Sequence, residues 1–359
     1  MNVGVFTRYD RNGASSRVRF LQYMPELELQ GFLLTHEPLF SNDYIEGLQS
    51  GRGKPFKSLY ELIRRIRALR ASGQFDVLWV EKDALPWLPA LFELALIPRD
   101  LPLVLDYDDA VFHQYDMNPY SIIRWLLGAK HSALMRRASL VVAGNQYIAE
   151  YALRAGAPKV ELLPTVVDLN RYSPANLNLC GCKDGIPTFG WIGQKSTASF
   201  LQPLNKLIQK LSNEKLIHFR AIGIDAQALG LAVDSEAWSE EGEVASIQRL
   251  DVGIMPLQDG PFERGKCGYK LIQYMACGLP VVASPVGVNA TIVKHGVNGF
   301  LATTLEEWEQ ALRTLATDPT LRRRMGEAGR AIVERDYCLQ IATPRLAGLL
   351  NEAAKLKKG

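Results

Sequence analysis

Residues 268–284 read Gly-Tyr-Lys-Leu-Ile-Gln-Tyr-Met-Ala-Cys-Gly-Leu-Pro-Val-Val-Ala-Ser, and they decide the fold of the second half of the chain. Apolar residues at helical spacing predict a helix over residues 270–276, which Gly278 ends. The short apolar run 280–283 is typical of a strand buried on both faces. A helix that leads directly into such a strand indicates a parallel sheet covered by helices.

The same alternation of strands and helices extends outward along both halves of the chain. In the first half it predicts strands over residues 2–6, 77–81, 103–107 and 140–143, and helices over 18–29, 57–72, 119–138 and 146–155. In the second half it predicts strands over 188–192, 218–222, 252–255, 280–283 and 299–302, and helices over 197–211, 243–249, 270–276, 305–315 and 319–335.

A turn-rich stretch, residues 164–187, is the best candidate for a linker. We therefore predict two Rossmann-like domains, residues 1–170 and 171–338, followed by a final helix within 339–359. Ligands of open parallel sheets bind beyond the carboxyl ends of the strands. Two such domains would face an interdomain cleft, with the chemistry in the loops that follow strands.

Composition excludes several classes of protein. With 359 residues, 47% hydrophobic and 22% charged, the chain is neither disordered nor fibrous, and a net charge of +3 gives no indication of nucleic acid binding. Cys180 and Cys182 form an isolated C-x-C pair, so we expect reduced thiols and no metal site or cofactor. No signal peptide is visible, and the most apolar region, residues 85–97, is too short to span a bilayer. We expect a cytoplasmic protein whose contact with membrane, if any, is peripheral.

Two loops of the first half carry candidate chemistry. Small residues from Gly13 to Ser16, followed by Arg17, precede a helix, where backbone N–H groups can approach an anion, although Ser15 or Ser16 could equally be a plain N-cap. The third strand ends in the carboxylates of Asp106, Asp108 and Asp109, which repel one another unless a cation, a hydroxylated ligand or a proton resolves the charge. These aspartates could bind acceptor hydroxyls, act as a base, cap a helix or hold a metal. His113, just beyond them, is a further candidate.

The second half carries a cationic segment. Gly193 makes a turn between a strand and a helix with Lys195 nearby, which suits phosphate although a turn glycine needs no ligand. Residues 255–280 bring Arg264, Lys266 and Lys270 near a helix start, with Gln273 three residues after Lys270 on one face. Without a metal, a diphosphate leaving group must be neutralised by such protein cations. A merely solvated basic loop is the alternative.

Residues 274–284, followed by Gly296-Val297-Asn298-Gly299-Phe300, resemble the donor-binding half of group 1 (family 4) nucleotide-sugar glycosyltransferases. The stretches 13–17, 106–109 and 190–193 resemble a bacterial branch tied to surface polysaccharides. The resemblance implies the GT-B fold, with the second domain binding the donor, the first binding the acceptor, and the last helix crossing back to the first domain. It also implies sugar transfer from a nucleotide diphosphate donor, usually retaining and without a metal.

The sequence departs from the family at three positions. Of the family's two glutamates eight positions apart, the second falls on Gln273, which can still hydrogen-bond ribose hydroxyls. The first falls on Gly265, unless Glu263 reaches the same space. The family's histidine after the acceptor-domain strand falls on Asp108, which replaces a group that titrates near neutrality by a carboxylate.

We therefore predict a glycosyltransferase that moves a sugar to the hydroxyl of a glycan or lipid-linked acceptor. Lys270 and Arg264 would stabilise the leaving diphosphate. Asp108 and Asp109 would orient or deprotonate the acceptor hydroxyl. The remaining candidate residues divide into contacts with the donor and contacts with the acceptor. The predicted donor contacts are Gly13, Gly193, Lys195, Glu263, Lys266 and Gln273, and the predicted acceptor contacts are Ser15, Ser16, Arg17, Asp106 and His113. A metal-dependent hydrolase centred on Asp106, Asp108 and Asp109, and a non-catalytic sugar-nucleotide binder, stay open as alternatives.

A basic amphipathic pattern over residues 119–137, with a second basic stretch at 64–70, could dock on anionic lipid headgroups. The alternative is that the apolar residues of these patterns face the core.

Overall fold

The computed structural model describes residues 1–42, 55–174, 185–231 and 233–356, without the side chains of residues 55–58. Cys180, Cys182 and the middle of the predicted linker, residues 175–184, lie outside the described residues. The chain divides into two compact units. The first comprises Met1–Thr165, Gly265–Cys267 and Leu339–Gly359, and the second comprises Val166–Arg264 and Gly268–Cys338.

Within the described residues, the first unit contains a six-stranded parallel sheet in the order β2-β1-β3-β4-β5-β6. Its strands are β1 (Asn2–Tyr9), β2 (Leu33–Phe40), β3 (Val77–Glu81), β4 (Leu103–Tyr107), β5 (Leu140–Ala143) and β6 (Val160–Leu162). Its helices are α1 (Ala14–Arg19), α2 (Met24–Leu29), α3 (Pro55–Arg70), α4 (Ala90–Leu96), α5 (His113–Asp116), α6 (Ser121–Leu127), α7 (Lys130–Arg137) and α8 (Gln146–Arg154). The last helix of the chain, Leu339–Ala354, also belongs to this unit and contacts α2, β3 and β4.

The described part of the second unit has the same architecture, with the strand order β12-β11-β10-β7-β8-β9. Its strands are β7 (Thr188–Ile192), β8 (His218–Ile222), β9 (Asp234–Glu236), β10 (Val252–Met255), β11 (Val281–Ala283) and β12 (Gly299–Leu301). Its helices are α9 (Asn205–Asn213), α10 (Glu243–Gln248), α11 (Pro261–Arg264), α12 (Tyr269–Ala276), α13 (Asn289–Ile292), α14 (Leu305–Thr317) and α15 (Pro319–Asp336). The prediction of two Rossmann-like domains is confirmed.

Three predicted helices are interrupted. In the one predicted over residues 197–211, a 3-10 helix over Lys195–Leu204 precedes α9. The prediction over residues 18–29 is wrong in its middle, because Pro25 starts the separate helix α2 and cannot donate a backbone hydrogen bond to a preceding turn. The helix predicted over residues 119–138 is two helices, α6 and α7, separated at Gly128 and Ala129. A Cβ at Gly128 would lie 2.4 Å from the carbonyl oxygen of Arg124, so only glycine permits this close turn.

No helix among the described residues is both long and apolar enough to cross a membrane.

Candidate active site

The strand pairing of the first unit places two groups of charged residues at one edge of the sheet. Strands β3 and β4 pair in parallel with Glu81 beside Asp106. The residues that follow each strand are therefore neighbours at the carboxyl edge, where ligands of open sheets bind. These residues are Lys82 and Asp83 after β3, and Asp108 and Asp109 after β4.

Asp108 is buried, and two side chains hold its carboxylate. Lys82 Nζ lies 2.7 Å from Oδ1, and Ser15 Oγ donates to Oδ2 at 2.6 Å. Lys82 Nζ also donates to Ser15 Oγ at 3.0 Å, which closes a three-membered network. Burial favours the neutral acid, but the Lys82 ammonium and the two hydrogen bonds outweigh it and lower the pKa of Asp108. At neutral pH Asp108 is therefore a charged carboxylate in a fixed orientation, which can accept a hydrogen bond.

Lys82, which the sequence prediction missed, is at the centre of this network. Its own backbone conformation is strained. Its φ is 62°, in the left-handed region that few residues other than glycine adopt. Its side chain is buried, and its Nζ lies 3.6 Å from Glu81 in addition to the contact with Asp108. Burial lowers the pKa of Lys82, whereas Asp108 and Glu81 raise it, and the net shift is upward. Its strained backbone and its charge at the edge of the sheet make Lys82 a candidate functional residue.

Asp106 faces a different cation. Arg19 donates to Asp106 Oδ1 from Nε at 2.9 Å and from Nη2 at 2.7 Å, and Trp79 Nε1 donates to Oδ2 at 3.3 Å. Burial, together with the Asp108 charge, raises the pKa of Asp106 to about 6 in spite of Arg19. Because Asp106 and Asp108 are already compensated by separate buried cations, they do not converge on a common point as metal ligands do. The hydrolase alternative is therefore not favoured.

Other residues predicted to contact the acceptor are hydrogen-bonded to neighbouring residues of the protein. Ser16 Oγ donates to Glu81 Oε2 at 2.6 Å and accepts from the N–H of Tyr9 at 3.0 Å. His113 bonds through Nδ1 to Asp116 Oδ1 and through Nε2 to Tyr147 OH, both at 2.8 Å. These contacts anchor loops. Arg17 is buried and donates to the carbonyl of Arg11 at 3.1 Å, and Asp109 is partly exposed.

A second buried network follows β3, and the sequence prediction missed it too. Lys130 Nζ lies 2.7 Å from Asp83 Oδ2 and 2.9 Å from Glu93 Oε1, and the other oxygen of Asp83 pairs with Arg8. The side chains of Lys130 and Asp83 have no solvent exposure. This network supports the loop between Lys82 and α4, and thus the position of Lys82.

In the second unit, the turn after β7 packs tightly under Lys270. A Cβ at Gly193 would lie 2.4 Å from the Trp191 ring and 3.0 Å from Lys270 Cε, so the position requires glycine. Lys270 stands in the first turn of α12, with Nζ 5.3 Å from the centre of the Trp191 ring. This cation–π contact holds the ammonium beside the Gly193 turn. Lys195 follows that turn and is exposed.

The structure corrects one detail of the predicted anion contacts. The N–H of Gly193 donates to the carbonyl of Ile222 at 3.0 Å, and the N–H of Gly13 donates to that of Asp10 at 2.9 Å. A Cβ at Gly13 would lie 2.3 Å from Tyr9 Cβ. Both glycines thus permit close packing, and any backbone donor for an anion must come from the residues after them.

The other predicted donor residues have distinct surroundings. Arg264 is half exposed and pairs with Asp259 at 2.7 and 2.9 Å. Glu263 and Lys266 are partly exposed. Gly265 lies in the part of the loop that belongs to the first unit, where a Cβ would lie 2.2 Å from Ala110 Cβ. The position where the resemblance expects the first glutamate therefore has no room for a side chain unless Ala110 shifts.

Gln273 belongs to a buried chain of hydrogen bonds that the sequence prediction did not find. Its Nε2 donates to Tyr172 OH at 2.8 Å, and Tyr172 donates to Glu243. Glu243 also accepts from Trp238 Nε1 at 2.7 Å. Burial and the charge of Glu243 contribute to raising the pKa of Tyr172, which stays a neutral phenol. This series of hydrogen bonds fixes the orientation of the Gln273 amide.

Two families match the chain. "Glycosyl transferases group 1" matches residues 188–318, and "Glycosyl transferase 4-like domain" matches residues 41–165.

Curated relatives carry glycosyltransferase names. A GDP-mannose-dependent monoacylated alpha-(1-6)-phosphatidylinositol monomannoside mannosyltransferase of Corynebacterium glutamicum is 23% identical over 253 residues, which cover 63% of this chain and 66% of that protein. A D-inositol 3-phosphate glycosyltransferase of Pseudarthrobacter chlorophenolicus is 28% identical over 306 residues, which cover 76% of this chain and 69% of that protein.

Solved structures with the same fold cover nearly the whole chain. The HepE protein of Anabaena in complex with UDP and glucose has a TM-score of 0.70 at 19% identity, over 98% of this chain and all of that one. Sucrose-phosphate synthase from Thermosynechococcus elongatus has a TM-score of 0.73 at 16% identity, over 98% of each chain. Two glycosyltransferase families match residues 41–165 and 188–318, and each half contains a parallel sheet of the Rossmann-like kind, so the chain belongs to the group 1 glycosyltransferases.

Proposed function

We propose that the protein transfers a sugar from a nucleotide diphosphate sugar to a hydroxyl of a glycan or lipid-linked acceptor, with retention and without a metal. The observation that carries this proposal is Lys270, held over Trp191 beside a turn that only glycine allows. A fixed cation at a helix start neutralises the charge that grows on a departing diphosphate. In this proposal, Arg264, Lys266 and Lys195 add positive charge around it.

The hydrogen bonds of Gln273 support the part of the proposal that concerns binding of the donor's nucleoside. One N–H of the Gln273 amide donates to Tyr172, and we assign the amide oxygen to accept from ribose hydroxyls, as a glutamate would. Glu263 is assigned to the sugar or ribose hydroxyls. In the acceptor half, Asp108 orients the acceptor hydroxyl, with Asp109 beside it, and Ser15 and Lys82 fix Asp108.

The relatives suggest more than one candidate for the donor base and for the acceptor. One relative is named for GDP-mannose and a phosphatidylinositol mannoside, whereas the HepE structures contain UDP or UDP-glucose. Both a guanine and a uracil nucleotide are therefore candidates. A lipid-linked acceptor would place the enzyme peripherally on the inner face of the cell membrane, in keeping with a role in surface polysaccharides.

The first experiment is thermal stabilisation by UDP, GDP, dTDP, ADP and CMP, each with and without EDTA. Selective stabilisation by one nucleoside diphosphate, unchanged by EDTA, is the expected result, because a ligand at about 100 times its Kd adds about 2.7 kcal/mol to the free energy of unfolding. A flat panel, or a shift that requires a divalent metal, would contradict the assignment.

The second experiment compares Lys270→Ala with Lys195→Ala, an exposed lysine near the same turn. We expect Lys270→Ala to keep the fold and to lose about 10²–10³-fold in donor consumption with a membrane lipid extract, as when one preorganised donor is removed. The loss for Lys195→Ala should be much smaller. Normal turnover of Lys270→Ala would refute the clamp, and nucleotide binding without any donor consumption by the unmodified protein would favour the non-catalytic binder.

A further inference from the structure

The first unit exposes a set of large apolar side chains on two loops and two helices. They come from residues 87–92, after β3, and from residues 117–126, after β4. Trp125 is 78% exposed and Leu91 75%, and the other members are at least half exposed. The set, here called the apolar face, is Trp87, Leu91, Phe92, Met117, Tyr120, Ile122, Trp125 and Leu126.

Contacts join the two segments into one surface. The Trp87 ring packs edge-on against Tyr115 of α5 at 5.1 Å, and the Trp87 N–H donates to Tyr115 OH at 3.1 Å. Helix α5 in turn contacts α6, which carries Ile122 and Trp125. Large apolar side chains exposed together on neighbouring segments of a soluble protein mark an interaction site.

The charges around the apolar face identify what covers it. In residues 87–96 and 117–127 the charged residues are Glu93, which is buried, and Arg124. Arg124 Nη1 donates to the carbonyls of Asn118 at 2.5 Å and Pro119 at 3.0 Å, so the guanidinium is engaged with its own loop. Tryptophan and tyrosine among leucine, isoleucine and phenylalanine are the composition of side chains that settle at a bilayer interface.

Several of the basic residues that the sequence analysis selected for anionic lipid are engaged with other parts of the protein. Arg65 is buried, and Arg64 pairs with Glu61 at 2.9 Å and Glu37 at 3.3 Å. In α7, Lys130 is buried between two carboxylates and Arg137 donates to the carbonyls of residues 98, 99 and 101. Arg67, Arg70 and Arg136 are exposed, but they lie on α3 and α7, outside the two segments of the apolar face.

We propose that the apolar face inserts into the headgroup region of a lipid bilayer, and that apolar burial rather than attraction to anionic lipid drives this contact. The segments of the face begin after the same two strands that carry Lys82 and Asp108. Insertion therefore brings the carboxyl edge of this sheet to the membrane surface, where the hydroxyl of a lipid-anchored acceptor lies. This inference rests on the proposed function for the acceptor, but the contact with lipid itself is independent of it.

The test is co-sedimentation of the full chain with phosphatidylcholine vesicles and with vesicles that also contain phosphatidylglycerol. We expect binding to both, retained at about 1 M NaCl, where the Debye length is about 3 Å and electrostatic docking is screened. The variant Ile122→Ser/Trp125→Ser should bind about 10–100-fold more weakly, because two apolar side chains no longer leave water. Its matched control is Leu29→Ser/Leu153→Ser, which replaces two exposed leucines of the same unit outside the face.

Three results would overturn the proposal. Binding that requires phosphatidylglycerol and disappears in salt would make the contact electrostatic. Equal binding by the variant and its control would place the contact elsewhere. Failure to bind vesicles, together with concentration-dependent association that the Ile122→Ser/Trp125→Ser variant abolishes, would make the face an interface between copies of the chain. Nucleotide stabilisation, measured on the same variants, separates these outcomes from a failure of the proposed enzyme activity.

Discussion

Replacement of Lys130 by methionine tests whether the buried network after β3 holds the first unit together. The ammonium is shared by Asp83 and Glu93 at 2.7 and 2.9 Å and also donates to the Leu85 carbonyl at 2.5 Å. Methionine fills a similar volume without charge. Removal of one partner from a buried ion pair typically costs about 3–5 kcal/mol, because the other charge stays buried.

The loss should depend on pH, with a sign fixed by Glu93. Burial and the Asp83 charge raise the pKa of Glu93 above its usual 4.5, and without Lys130 the carboxyl takes up a proton in the folded state. A group whose pKa is raised on folding contributes stability below its unfolded pKa and loses it as pH rises. The free-energy cost of holding that proton grows by up to about 1.4 kcal/mol for each pH unit above the usual pKa. Most of the penalty in Lys130→Met should therefore disappear near pH 5.

The assay is urea unfolding followed by tryptophan fluorescence at pH 8 and pH 5. The double variant Lys130→Met/Glu93→Gln should recover most of the lost stability, since the amide oxygen can still accept from the Ala84 N–H that Glu93 binds at 2.9 Å. Lys159→Met removes a half-exposed pair with Glu352 and should cost less than about 1 kcal/mol. A loss below 1 kcal/mol in Lys130→Met, or the same loss at both pH values, would refute the reasoning.

Three further predictions concern single residues. Burial lowers the pKa of His131 to about 4, so the unfolded chain takes up a proton that the folded chain refuses as pH falls from 6.5; relative to His131→Gln, the unmodified protein should lose about 2 kcal/mol between pH 7.5 and pH 5 in the same unfolding assay. Gly265→Ala should destabilise the first unit by about 1–3 kcal/mol in thermal unfolding, because its Cβ would meet Ala110, and an unchanged Tm would contradict the lack of room for a side chain there. Asp108→Asn should lower kcat/KM for the acceptor by at least about tenfold while nucleotide stabilisation stays unchanged, and a loss of nucleotide binding instead would move Asp108 to the donor side.

The central strands were predictable because burial on both faces leaves an uninterrupted apolar run. β3, β4, β5, β7, β8 and β10 have the bounds that the sequence predicts. The edge strands β2, β6 and β9 were missed, since none of them is an apolar run buried on both faces. β2 is mostly half-buried and contains Pro38, which a sheet tolerates at its edge. β9 consists of the three polar residues Asp234–Glu236.

The candidate site was predictable in its location and not in its partners. Glycines, aspartates and lysines after strands identify the edge of a parallel sheet from sequence alone. Which cation meets which carboxylate depends on the strand register: only the pairing of Glu81 with Asp106 makes Lys82 a neighbour of Asp108. A lysine directly after a buried strand, followed by an aspartate, was a weak signal for Lys82 and Asp83.

The two compensated aspartates also bear on where the acceptor proton goes. A general base works best with a pKa near the working pH and with an oxygen free to reach the proton. Asp108 has its pKa lowered by Lys82 and Ser15, so it is a weak base. Asp106, with a pKa of about 6, is strong enough, but Arg19 and Trp79 bond its two oxygens and its side chain is buried. We infer that Asp108 orients the acceptor hydroxyl and that the departing phosphate receives the proton, as a retaining transfer allows. In that case the pH profile of kcat/KM for the acceptor should show no ionisation that Asp108→Asn removes.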